Sequence, residues 1–211
     1  MGRVLSVIKG EGDTPHGFYN SGGKYYARNT HKGKTKEYQL WENMKGRQIY
    51  APLRDEVRYK NYSTVQVWGE WRDFQNFAKW FHEESNFVEG WQLDKDILSV
   101  SGGCSMYSPQ TCTFIPEEMN KALPNRKNHR GAYPIGVSLC RGGVALFSRF
   151  HCKYPEYGTH KRFQLSEVNE AYLYYKVAKE RYMKFLAEKW DGIVDPKVIK
   201  FFREYEVKID D

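Results

Sequence analysis

Apolar positions fall into stretches of different period along the chain. Tyr38, Trp41 and Met44 recur three residues apart and Arg47 continues the series, which predicts a short amphipathic helix ending before Pro52. Trp71, Phe74, Phe77, Ala78 and Phe81 predict a second helix, whose aromatic stripe is explained as core by its spacing alone. Between them, residues 63–67 make a short β-type run. Late in the chain, residues 135–138, 144–151 (after Gly142-Gly143) and 161–165 read as three strands. The clearest helix follows, where Val168, Ala171, Tyr172, Tyr175, Ala178, Tyr182, Phe185 and Leu186 keep one face apolar. Val198, Phe201 and Phe202 predict one more short helix, with 204–211 as an edge strand. Two stretches carry no period. Residues 1–36, rich in Gly, Lys, Arg, Asn and Thr, read as a basic, loosely structured arm, and 124–133 as a basic linker containing Arg126, Lys127 and Arg130.

The centre of the chain combines a pattern with chemistry. Leu93-Asp94-Lys95-Asp96-Ile97-Leu98 is followed by a glycine-rich gap at 101–103, by a second β-type run from Tyr107 to Ile115, and by Pro116-Glu117-Glu118-Met119-Asn120. Proline is favoured at the first position of a helix, so the order reads strand, strand, helix. Such an order can converge oxygen ligands on a metal ion. On a continuous strand Asp94 and Asp96, two residues apart, share a face. They serve either as a metal-binding pair or as solvated carboxylates on a strand edge. His82 lies at the end of the second helix, where a histidine is ordinarily a surface or capping residue.

Charge sharpens the picture. The net charge of +7 is unevenly spread: residues 1–60 carry 12 basic and 6 acidic side chains, 124–163 carry 8 and 1, and 61–123 carry 4 and 9. Two basic flanks around an acidic centre suit a protein that holds phosphates on either side of a metal-binding core. With 16% aromatic residues the chain is too rich in core formers to be disordered. It contains no run of eighteen apolar residues and no signal-like opening, so a soluble intracellular protein with no membrane association is expected. Four cysteines at 104, 112, 140 and 152 have neither CxxC pairing nor zinc-ribbon spacing and read as reduced thiols.

The central residues also resemble a known family. Leu93-Asp94-Lys95-Asp96, then Tyr107-Ser108-Pro109-Gln110-Thr111-Cys112, then Asn120 is similar to the LDxD…YSPxxC…N pattern of phage and bacterial HNH endonucleases. Tyr38, Trp41, Asn43, Met44 and Arg47 are similar to the element that precedes it in that family, although Gln48-Ile49 stands where the family often has a cysteine. Gly136-Val137-Ser138 and the helix running from Glu170-Ala171 to Ala178-Lys179-Glu180 resemble the apetala-type DNA-binding domain that often follows. Before that helix, Arg162-Phe163-Gln164-Leu165 departs from the family's Leu-Gly-x-Phe.

The resemblance implies an α+β fold. N-terminal helices would surround a ββα-metal module over residues 37–123. A three-stranded antiparallel sheet packed on one long helix would follow over 134–190, then a helix/strand extension over 191–211. It implies a double-stranded DNA-binding, phage-encoded protein in the bacterial cytoplasm, carrying out metal-dependent phosphodiester hydrolysis of a nicking or homing-like kind with one Mg²⁺ or Mn²⁺. Asp94 and Asn120 would be the metal ligands. The general-base position, histidine in active members, is Lys95, and the position that supports the base is Thr111. Asp96, read from its spacing two residues beyond Asp94, would be a substitute base or a second ligand. A lysine must be neutral to accept a proton, which asks for a pKa some three units below its usual value of about 10.4. Arg126, Lys127, Arg130, Arg141, Arg149, His151, Lys161 and Arg162 would hold DNA. The alternation of the second strand places Arg149 and His151 with Ala145 and Phe147, a face that Arg141 and Lys161 can join. The alternative is a catalytically impaired member that acts by occupying DNA or by blocking a host system; a third reading is an inhibitor that binds a host protein through an exposed tryptophan or tyrosine patch of its own.

Overall fold

The computed structural model describes residues 23–29, 33–49, 65–99, 106–123 and 132–209. The chain is mixed α+β and divides into two compact units, Met1–Ile115 and Pro116–Asp211.

In the first unit, helix α1 (Lys36–Ile49) starts where Thr35 caps it. The Thr35 carbonyl accepts the Gln39 amide at 3.0 Å and its hydroxyl donates back to the Tyr26 carbonyl. α1 buries Trp41 and Met44, and the Trp41 indole donates to the Trp71 carbonyl at 2.7 Å. Helix α2 (Phe74–Glu83) is capped by Asp73, whose carboxylate accepts the Gln75 amide at 2.8 Å. Its stripe is core as its spacing predicts: Phe74, Phe77 and Ala78 are fully buried, and Trp71 meets Phe77 edge-on at 5.0 Å. His82 is exposed, as expected for a helix end, stacked on Tyr25 at 5.1 Å and 3.4 Å from the Glu37 carboxylate.

The strands of this unit are short. β1 (Arg28–Asn29) pairs antiparallel with β2 (Gly33–Lys34), β3 (Gln66–Val67) pairs parallel with β5 (Met106–Tyr107), and β4 (Gln92–Asp94) pairs antiparallel with β6 (Thr113–Ile115). The second β-type run of the centre therefore splits, its start joining β3 and its end returning to β4. The described part of the N-terminal arm is anchored rather than loose: the Gln75 side-chain amide bonds both the N–H and the carbonyl of Tyr25, and Ala27 is buried.

The second unit contains β7 (Val137–Leu139), β8 (Leu146–Phe150) and β9 (Thr159–Phe163) in one antiparallel sheet of that order. The helix that follows, Val168–Lys189, buries Ala171, Tyr172, Tyr175, Tyr182, Met183 and Leu186. Leu146, Ser148 and Phe150 turn inward, and the Phe150 ring meets Tyr175 edge-on at 5.9 Å and Tyr182 at 5.5 Å. Gly136 opens the sheet at φ +76, where a Cβ would sit 2.0 Å from the Tyr175 ring, so two independent reasons demand glycine there. β9 lies two residues earlier than its apolar pattern suggests, because Glu167 captures the Gln164 amide at 2.7 Å and turns the chain into the helix.

In chain order the helices of this unit are α3 (Glu117–Ala122), α4 (Val168–Lys189) and α5 (Pro196–Arg203). The Lys179 ammonium, 5% exposed, donates to the carbonyl of Ala122 at the end of α3. The Glu118 carboxylate accepts from Trp190 Nε1 at 2.7 Å, from Tyr154 OH at 3.0 Å and from the Lys189 ammonium. Burial alone would push Glu118 up, but these donors override it and hold the carboxyl below the usual range. Residues 204–209 form no strand. Instead Glu180 accepts the Val207 amide at 2.9 Å while Tyr172 and Lys176 bond its carbonyl.

Candidate nucleic-acid interface

The outer face of the β7–β9 sheet is built by register. Phe147 stands opposite Ser138 on one side and Arg162 on the other, and Arg149 stands opposite His160. Because side chains alternate, Ser138, Phe147, Arg149, His160 and Arg162 share the face turned away from α4. The Arg149 guanidinium lies 4.5 Å from the Phe147 ring centroid, and its Nε–H donates to His160 Nε2 at 3.2 Å. Phe147 and His160 rings are themselves 5.0 Å apart. No residue of the three strands is acidic, so nothing within them offsets the charge of Arg149 and Arg162.

The turn between β7 and β8 extends this face. Cys140 N donates to Ala145 O at 2.9 Å, closing a loop that carries exposed Arg141. The backbone amide of Val144 holds the Cys140 thiol below its usual range, burial opposes it, and the nearby Arg162 charge adds to the lowering. His151 is exposed just beyond β8.

Two expected members of the face lie elsewhere. Lys161 pairs with the buried Ser148, so it belongs to the opposite side of the sheet, where its ammonium lies 5.1 Å from both the Phe163 and Tyr174 rings. Ala145 is buried, and it lies in the turn before β8, which begins at Leu146. His160, in turn, was missed; alternation back from Arg162 would have found it. Arg126, Lys127 and Arg130 lie outside the described residues.

The acidic centre is arranged differently from its sequence reading. β4 ends at Asp94, and Asp94 Oδ1 accepts the backbone amides of Asp96 at 2.8 Å and Ile97 at 2.9 Å. That capped turn takes Asp96 off the strand, so Asp94 and Asp96 do not share a strand face. Burial pushes the Asp94 carboxyl up, while the two amides pull the other way. Lys95 is buried at 9% exposure, with its ammonium on Asp96 Oδ1 and 5.7 Å from the Tyr107 ring. The Tyr107 hydroxyl accepts from Arg47 at 2.9 Å. Thr111 spends its hydroxyl locally, donating to Met106 O at 2.6 Å within the turn that leads to Cys112. Burial pushes the Cys112 thiol up to about 12. Asn120 lies on α3 in the second unit.

A divalent cation at Asp94 would find one carboxylate oxygen already bonded to two amides, and the adjacent positive charge already supplied by the Lys95 ammonium. Comparison of the chain with family models, with curated proteins and with solved structures gives no match.

Proposed function

We propose that the protein binds double-stranded DNA through the outer face of the β7–β9 sheet and acts by occupying it. One observation carries the reading: Phe147, Arg149, His160 and Arg162 form a continuous cationic and aromatic face in strands that contain no acidic residue. Arginines so placed can neutralise phosphates or reach base edges, and the exposed Arg141 turn adds a further charge at the end of the sheet.

The test is duplex binding by the full chain, measured by fluorescence anisotropy across a salt series. Arg149→Ala with Arg162→Ala should weaken binding and reduce the slope of log affinity against log salt by about one for each phosphate contact removed. An unchanged affinity and slope would refute the reading.

A second reading, HNH-type phosphodiester hydrolysis with Mg²⁺ or Mn²⁺, is favoured by the antiparallel pairing of β4 with β6 followed directly in the chain by α3. Supercoiled-plasmid cleavage in each metal, lost in Asp94→Ala, would establish it. Binding without cutting supports occupancy.

A further inference from the structure

We infer that the solvent-facing side of α4 is a docking surface for a second copy of this chain, the two α4 helices lying antiparallel about Val177. The helix is apolar on two sides. Its inner side packs on the sheet, whereas on the outer side Leu173, Tyr174 and Val177 stay 53%, 42% and 65% exposed. Residues three and four apart are neighbours on a helix, so Val177 lies beside both Leu173 and Tyr174 and the three make one continuous patch. Solvated helix faces are ordinarily polar, as on α2, which exposes Asn76, Lys79, His82 and Glu83. A β-branched valine also forms helix less readily than alanine or lysine, so Val177 weakens α4 while packing little within its own chain. A contiguous apolar patch rimmed by charge marks a contact with another molecule.

The charges around the patch select a second copy as that molecule. Glu170 lies seven residues before Val177 and Lys184 seven after it, about 10.5 Å along the axis in either direction. Seven residues are close to two full turns, so the three side chains point the same way, and all three are exposed. In an antiparallel pair with its dyad at Val177, that residue meets its counterpart, and Glu170 of each copy stands level with Lys184 of the other. One surface thus supplies both halves of an isologous contact, an apolar centre closed at each end by a pair of opposite charges. A parallel pair in register would set Glu170 against Glu170 and Lys184 against Lys184. Neither side chain makes an ion pair among the described residues, so both are free to bridge. Val177 stands near the middle of a helix 22 residues long, so the two helices overlap over nearly their whole length. Because α4 covers the inner side of the β7–β9 sheet, the two outer sheet faces point away from each other, and the contact does not depend on the duplex-binding reading.

A contact made by one helix pair belongs to the small class of interfaces, below about 1,200 Å², and to weak, reversible association. Sedimentation equilibrium of the full chain, run from micromolar to millimolar concentration, should therefore show a monomer–dimer equilibrium. Val177→Glu sets two carboxylates face to face and should raise the dissociation constant at least about 10-fold. Glu170→Lys and Lys184→Glu each replace two attractions by two repulsions, and each should raise it about 10-fold. Mixing those two variants in equal amounts should restore association, because each charge then meets its opposite on the other chain. The substituted positions are exposed, so far-UV circular dichroism and the urea midpoint should match wild type in every variant. A monomer at every concentration, a dimer that survives Val177→Glu, or a mixture no more associated than its two components would each overturn the inference.

Discussion

Replacing Lys95 separates what a buried ammonium contributes from what its stem contributes. The side chain is 11% exposed, whereas its partner Asp96 is 66% exposed. An ion pair with one solvated member is worth about 0.2–1 kcal/mol, and burying the ammonium incurs a desolvation cost that this gain barely offsets. The stem is another matter, since three methylenes beyond Cβ at about 0.8 kcal/mol each amount to about 2–3 kcal/mol of apolar burial. Lys95→Met keeps that stem and discards the charge, so it should leave stability within about 1 kcal/mol of wild type. Lys95→Ala removes both and should cost about 2–3 kcal/mol. Urea unfolding followed by tryptophan fluorescence reports on the correct unit, because five of the six tryptophans (41, 68, 71, 80 and 91) lie in Met1–Ile115. If Lys95→Met proves as destabilising as Lys95→Ala, the charge itself holds the centre together and the area argument fails.

Three further outcomes follow from other parts of the fold. Gly136→Ala should destabilise the second unit by at least about 2 kcal/mol in a denaturant titration, from left-handed strain of about 1–2 kcal/mol plus the displaced Tyr175 ring. Glu118 has a depressed folded pKa, so its contribution is present above the ordinary carboxylate range and is lost as pH falls through the depressed value. Glu118→Gln should therefore cost about 1.5–3 kcal/mol at pH 7 and flatten the decline in urea midpoint between pH 5 and pH 3. Lys161→Ala should leave the salt slope of duplex binding nearly unchanged, whereas Arg162→Ala should lower it, because the two neighbours stand on opposite sides of the sheet.

What was legible in the sequence was what local period records. α2 and α4 were readable because their burial stripes repeat every three or four residues, and the three late strands because their order and turn residues are local. The central turn was not, since its shape depends on the Asp94 carboxylate capturing two amides, an interaction that leaves no mark on hydrophobic spacing. Nor was the pairing of β5 with β3, a parallel partnership between Gln66 and Met106 that no short window contains. Lys161 is out of reach for a similar reason, because its face is set by the register of β9 on β8, which pairs it with the buried Ser148 and leaves no mark on the spacing within either strand. The last segment looked like a strand because it alternates, yet Tyr172, Lys176 and Glu180 satisfy the backbone of Val207 with side chains.

The position of Lys161 bears on self-association. β9 is an edge strand whose only ladder partner among the described residues is β8, so one row of its amides and carbonyls is open to pairing with another molecule. His160, Lys161 and Arg162 occupy the middle of that edge, and Lys161 sends its charge towards the sheet's covered side, along Phe163 and Tyr174. A second copy docking edge to edge would have to bury that ammonium and set two such triplets against each other. The strand is thereby kept from templating an intermolecular sheet, and Thr or Val in place of Lys161 would remove the obstacle.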